Sequence, residues 1–253
     1  MSPMFKTRFT GAALELTMAR APVNAINRDW IDGFEGILDD LAGQPDIAVL
    51  LIRSSERIFS AGADLKLMRD CFSTEDGPDR MIETVRLMQR LYDRIESLSQ
   101  VVVAEIAGAA QGGGFELALA CDLRIAADDA RLGLPEARLG LLPGAGGTQR
   151  LSRLAGPGVA RRLILTAEVV TGVQARDLGL VQWAVPADQL SAFAESVVVR
   201  IAALSPAALA ACKHCFSAAD ADLGKGMLIE LLETHKLFNA ADTRKRVREF
   251  LDR

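Results

Sequence analysis

Histidine is nearly missing from this chain. His214 and His235 are the only two among 253 residues, and both lie far in sequence from the glycine-rich centre. That scarcity weighs against a Ser-His-Asp or Cys-His nucleophile, so proton chemistry in the centre falls to carboxylates. Cysteine is also sparse: Cys71, Cys121, Cys212 and Cys215 stand at irregular spacing. With no secretory signal beside them, reduced thiols in a cytosol-like compartment are expected. Cys212-Lys-His-Cys215 offers three ligand side chains, but no second cluster completes a tetrahedral metal site, so no metal is expected. Long apolar runs are missing too. Val101 to Ala107 is far too short to span a bilayer and is interrupted by Glu105. The N-terminal residues lack an apolar signal core and transit-peptide character. A soluble, cytoplasmic protein without membrane contact is the expectation. Neither a Gly-Lys-Ser/Thr phosphate loop nor a Gly-x-Gly-x-x-Gly dinucleotide loop occurs, and there is no strict internal repeat or low-complexity segment.

What is present is ordinary globular composition: half the residues are apolar and a quarter are charged. A chain of this size buries roughly three quarters of its unfolded surface, so the core needs no metal or disulfide. The net charge of −4 argues against a general polyanion binder but not against a small anionic ligand held by a few local cations. The basic run Arg244-Lys-Arg-Val-Arg248 reads mainly as the solvated face of an amphipathic helix, and nucleic acid is not expected as a partner.

Short β-like runs alternate with helical ones over the first 190 residues. Ala13 to Met18 alternates as a strand, and Ile47 to Ile52 is wholly apolar, as in a buried strand. Asn27 is placed to cap a helix through Trp30, Phe34, Ile37, Leu38 and Leu41. Residues 73–79 form a polar break, read as a mobile loop, before a helical stripe of Met81, Val85, Met88, Tyr92 and Ile95. Val101 to Ile106 is a strand, Phe115 to Cys121 is helical, two short strands begin at Leu123 and Arg131, and Gly144 to Gly147 opens a helix through Leu154. Strands returning through helices point to an α/β fold of βαβ or ββα units. Beyond residue 190 the pattern is almost entirely helical, which divides the chain into residues 1–190 and 191–253.

Several residues admit a chemical reading beside a structural one. Gly112-Gly113-Gly114 joins a buried strand to a helix, leaving N–H groups approachable at a positive helix end. Such a loop suits a phosphate or a developing oxyanion; it also serves as a plain tight connection. Glu116 follows in the first turns, either complementing the helix dipole or standing as a carboxylate beside the oxyanion site, its proton affinity raised by Phe115, Leu117 and Leu119. Glu136 lies twenty positions on, with Arg131 and Arg138 as alternative ion-pair partners. Ala61-Gly62-Ala63-Asp64 is a second tight loop able to supply another donor, with Asp64 placed to cap a helix from Leu65 and Lys66 a surface cation unless a phosphate is near.

Taken together, three stretches resemble the enoyl-CoA hydratase/isomerase (crotonase) superfamily. They are Phe59-Ser-Ala-Gly-Ala-Asp-Leu-Lys66, Ala107-Gly-Ala-Ala-Gln-Gly-Gly-Gly-Phe-Glu-Leu-Ala-Leu-Ala-Cys-Asp122, and Leu134-Pro-Glu-Ala-Arg-Leu-Gly-Leu-Leu-Pro-Gly-Ala-Gly-Gly-Thr-Gln-Arg-Leu151. The resemblance implies a spiral of ββα turns followed by a C-terminal helical trimerisation region, assembled as a homotrimer or a hexamer of paired trimers. It implies that Glu116 and Glu136 are the catalytic acids of a hydratase adding water to a 2-enoyl-CoA, one deprotonating the water and Glu136 delivering a proton to Cα. It implies oxyanion donors at the N–H groups of Ala63 and Gly113. Coenzyme A, which enters as part of the substrate rather than as a cofactor, is implied to lie across Ala61, Gly62, Ala63, Asp64, Leu65, Lys66 and Gly112. Retention of both glutamates favours hydration over double-bond isomerisation, the alternative in this superfamily; an RNA-binding member is the remote one. Pro22-Val23-Asn24-Ala25 departs from the superfamily pattern in lacking a Lys or Glu before the Asn-Ala, and Thr243-Arg244-Lys245-Arg246 replaces an acidic-Gly pair. The acyl pocket is expected within residues 65–98, with Leu67, Met68, Met81 and Leu87 as candidates.

Overall fold

The computed structural model describes residues 4–221 and 223–252. Two sheets organise the chain. Strand β1 (Phe5–Thr10) pairs antiparallel with β2 (Ala13–Met18), and β2 continues in parallel to β3 (Val49–Ser54), β4 (Val101–Ile106), β6 (Leu123–Ala127) and β9 (Trp183–Val185). The smaller sheet holds β5 (Ala110–Gln111), β7 (Arg131–Gly133) and β8 (Val169–Thr171). Parallel bridges from Ile26 to Ala63 and from Ser60 to Ala110 continue this second layer through the earlier loops. Each turn of chain therefore lays one strand on the large sheet, one short segment on the second layer, and a helix: β4, β5, then α4 (Gly113–Ala120); β6, β7, then α5 (Gly147–Leu165).

Local chemistry sets these elements. The Asn27 side chain accepts the N–H of Trp30 and opens α1 (Arg28–Ala42), whose Trp30, Phe34, Leu38 and Leu41 are buried. Asp64 caps α2 (Leu65–Cys71) by accepting the Lys66 N–H. The polar break after α2 is shorter than its composition predicts, because α3 (Gly77–Ser97) begins inside it. Pro78 occupies the first turn, where its missing N–H costs nothing, and a Cβ on Gly77 would lie 1.6 Å from the Cys71 carbonyl oxygen. Helix α5 runs past Leu154 to Leu165 through a kink at Gly156-Pro157. Helix α4 is buried on every side, with Glu116 as its one charged residue.

After α6 (Gly172–Asp177), helix α7 (Leu190–Ala202) packs across β2, β3, β4 and β6. Buried Glu105 of β4 binds Arg53 at 2.6 Å and accepts the Ser191 hydroxyl of α7 at 3.0 Å, which accounts for the charge inside an apolar strand. Helices α8 (Pro206–Ala221), α9 (Leu223–Asn239) and α10 (Ala241–Leu251) follow, α8 packed against α9. Lys213 fastens α8 to the core by pairing with Asp122 at 2.6 Å. Among the described residues no single helix is long and apolar enough to cross a membrane.

Candidate active site

The second-layer bridge at Ala63 brings two backbone segments together. Ile26 donates to Gly62 O and accepts from Asp64 N, so the Ala63 N–H points away from that pairing. Gly62 holds φ +84, and a Cβ there would meet Gly113 N at 2.8 Å and Gln111 O at 2.9 Å. Only glycine permits this approach of loop to helix end. A Cβ on Gly113 would in turn stand 3.5 Å from Ala63 N. Among the described residues neither the Ala63 nor the Gly113 N–H donates to a protein acceptor. Two free N–H groups thus sit side by side at the positive end of α4, an arrangement that can stabilise an anionic oxygen. From behind, the buried Tyr92 hydroxyl of α3 donates to Gly113 O at 2.7 Å.

Both glutamates face this point. Glu116 is 2% exposed, and its Oε1 accepts the N–H groups of Ala145 and Gly147, each at 2.8 Å. The glycines from 144 to 147 therefore do more than open α5: a Cβ on Gly147 would lie 2.8 Å from Glu116 Oε1. Burial pushes the Glu116 carboxyl up to about 7, helped by the charge of Glu136 and opposed by the two N–H donors and the Arg150 guanidinium. Glu136 opens a short 3₁₀ turn, Glu136–Leu139, and its Oε1 comes within 3.2 Å of where a Gly112 Cβ would be. Its Oε2 is buried without a hydrogen-bond partner, and burial raises its proton affinity. The ion pair with Arg131 or Arg138 is not formed; Arg138 instead donates to Ala167 O at 2.6 Å. A buried carboxylate oxygen left open is a site for a water or a transferable proton.

These groups line a cavity of about 970 Å³. Of the residues expected to contact ligand, Ala61, Ala63, Asp64, Leu65, Lys66, Gly112 and Gly113 line it together with Glu116 and Glu136. Gly62 does not; it is buried beneath the loop and acts by letting the loop close on α4. Arg20, paired with Asp64 at 2.7 Å, and Lys66 add positive charge to the lining. The apolar wall differs from expectation. Met68 and Met81 face the cavity, but Leu67 and Leu87 do not, since helical phase turns Leu67 aside and packs Leu87 on the core. Phe72, Ile82, Val85 and Met88 complete the helical wall, and Leu139, Leu141 and Leu142 close it from the segment after Glu136. That segment gave no periodic signal, because it is not a regular element. The glycines around Ala145 were visible, but their partner Glu116 is 29 residues away in sequence.

Neither of the two other polar clusters, Cys212–Cys215 and Arg244–Arg248, lines this cavity. No group of three or more His, Cys, Asp or Glu among the described residues could hold a metal, and His214 faces Glu233 at 3.1 Å. Within the basic run, Arg246 pairs with Asp242 at 2.9 Å.

Residues 8–253 match the family model for enoyl-CoA hydratase/isomerase. The chain is 37% identical over 232 residues to the Bacillus subtilis protein YngF, which carries an enoyl-CoA hydratase/isomerase name, covering 91% of this chain and 87% of that protein. It is 33% identical over 233 residues to the short-chain-enoyl-CoA hydratase of Clostridium acetobutylicum, covering 91% and 87%. Among solved structures, an enoyl-CoA hydratase from Bacillus anthracis superposes with a TM-score of 0.93 at 31% identity, covering 99% of this chain and 96% of that one.

Proposed function

Because the chain belongs to the enoyl-CoA hydratase/isomerase family, we propose that it is a 2-enoyl-CoA hydratase, adding water reversibly to give a 3-hydroxyacyl-CoA. The observation that carries this reading is the carboxylate pair: Glu116 with a carboxyl near 7 and Glu136 with an open buried oxygen, both lining one cavity with the Ala63 and Gly113 N–H groups. The thioester carbonyl lies on those two N–H groups, which stabilise the enolate-like charge as it forms. The two glutamates hold the water between them. Ionised Glu116 takes one proton as the oxygen adds to Cβ, and protonated Glu136 delivers a proton to Cα. Burial raises the proton affinity of both carboxyls, and the charge of Glu136 raises that of Glu116 further, so the pair is suited to hold and exchange a proton. Coenzyme A enters with the substrate along Ala61 to Lys66, where Lys66 and Arg20 suit its phosphates, and no cofactor is required. The apolar wall from Met68 to Leu142 receives the acyl chain.

Replacing either acid by glutamine, Glu116→Gln or Glu136→Gln, is expected to slow loss of the enoyl-thioester absorbance by at least about 10²-fold. Wild-type-like hydration in both variants would overturn the reading. If the protein instead shifts a 3-enoyl-CoA without incorporating labelled water, it is an isomerase.

A further inference from the structure

Helix α3 docks on both segments that hold the carboxylate site. Val85 packs on Gly144, and Gln89 donates to Gly144 O at 2.7 Å. Tyr92 donates to Gly113 O. Asp93 and Glu96 both bind the guanidinium of Arg150, at 2.5 and 2.9 Å. Arg150 is 7% exposed, and its Nη1 donates to Ala145 O at 3.0 Å. The turn wraps closely around it: Gly146 has φ +102, and a Cβ there would fall 2.1 Å from Arg150 Nη1. From the peptides on either side of the Ala145 carbonyl, the Ala145 and Gly147 N–H groups converge on Glu116 Oε1. The guanidinium and the carboxylate therefore grip opposite sides of one short turn.

We propose that Arg150, itself held by Asp93 and Glu96, is a positioning residue that fixes the 145–147 turn and thereby the carboxylate of Glu116. This rests on the hydratase reading for its kinetic consequence but not for its geometry. Among the described residues Arg150 is the one donor to Ala145 O, the carbonyl between the two peptides whose N–H groups bind Glu116. The flanking carbonyls are held separately, Gly144 O by Gln89 and Gly146 O by the N–H groups of Gln149 and Arg150, so the guanidinium fixes the middle of the turn. The groups facing Glu116 are few: Glu136 from its 3₁₀ turn, Tyr92 from α3, Arg150 from α5, and the two N–H donors. Glu136 and burial raise the proton affinity of Glu116, while Arg150 and the N–H donors lower it. Removing Arg150 acts twice in the same direction, by deleting a positive charge and by loosening the donors. The ionised fraction of Glu116 at neutral pH must fall.

The test compares Arg150→Gln and Arg150→Lys with the wild type. Asp93 and Glu96 retain solvent access in Arg150→Gln, so the variant leaves no newly buried charge. Arg150→Gln is expected to lose about tenfold or more in kcat with little change in KM, and its acid limb should move to higher pH. Arg150→Lys should restore the limb toward its original position while recovering only part of kcat. A residue serving stability alone would lower the unfolding midpoint and leave the pH profile in place; that result overturns the proposal. Carboxyl infrared difference spectra, assigned by subtracting Glu116→Gln, follow the Glu116 titration without substrate. An upward shift in Arg150→Gln supports the positioning role even if no enoyl-CoA is hydrated, which would sink the hydratase reading alone. No shift in the spectra refutes the positioning role whatever the activity.

Discussion

Burying a carboxylate costs folding free energy once the pH is high enough to ionise it. Glu116 has its carboxyl pushed from 4.5 to about 7 chiefly by burial. The folded state therefore binds this proton more tightly than the unfolded state. The sign follows: the stability tied to Glu116 is fully present below the unfolded value of 4.5 and is lost as pH rises through about 7. Glutamine keeps the shape and still accepts the two N–H groups without titrating. Glu116→Gln should thus gain on the wild type by about 3 kcal/mol between pH 4 and pH 8, read from urea denaturation at both ends. A stability difference independent of pH would show that Glu116 is not buried as a strained acid. The same residue would then be inactive yet more stable, the trade expected at a functional site. At this scale the sequence located Glu116 and Glu136. It did not separate an ion-paired Glu136 from an open one, because Arg131 and Arg138 stood equally near in sequence, and only the fold sends Arg138 to Ala167.

Elements meet at the site through glycine rather than through side-chain packing. The loop before α2 closes on the start of α4 because Gly62 has φ +84 and no Cβ to strike Gly113 N. Gly62→Ala adds a strained backbone, about 1–2 kcal/mol, and a collision with a backbone atom that cannot yield. Loss of stability beyond the strain alone and a large fall in kcat/KM are expected, because the Ala63 and Gly113 N–H groups are pushed apart. Gly11→Ala is the control: its φ is +56, but nothing lies within 4 Å of the added Cβ. It should show the strain in its unfolding midpoint and retain activity. Equal activity in both variants would contradict the donor geometry. Periodicity read α1, α3 and the large-sheet strands β2, β3, β4 and β6 well, since each presents a regular apolar face, but not the three-residue β9. It missed β1, whose residues are mostly exposed, and it placed the start of α3 too late, since a glycine and a proline inside a polar stretch read as a break.

At the scale of the whole molecule, the C-terminal helices expose more large apolar side chains than a lone chain should. Phe216, Leu228, Leu231, Leu232, Phe238 and Phe250 are each more than half exposed on α8 to α10. Scattered apolar residues are ordinary on a surface, whereas a concentration on one set of helices marks an interface. A homotrimer, or a hexamer of paired trimers, is the assembly we propose for this face. Light scattering should give a mass three or six times that of the 27.2 kDa chain, and Leu231→Glu with Leu232→Glu should release smaller species. A wild-type monomer at micromolar concentration would refute it.

The sequence by itself determined the family and the order of strands and helices around the glycine loops, and it singled out Glu116 and Glu136 as the candidate acids. Those features are local: they depend on residue type, spacing and period, all of which survive without coordinates. Tertiary structure alone decided how the acids are held. Glu116 is gripped by N–H groups 29 and 31 residues away, Gly113 by a tyrosine 21 residues away, and the turn at Ala145 by an arginine fixed from α3. The Ala145 and Gly147 N–H groups carry no side-chain signature, so nothing in their spacing ties them to Glu116. Their direction is set only when the second-layer segments stack and bring one turn of the chain against the next.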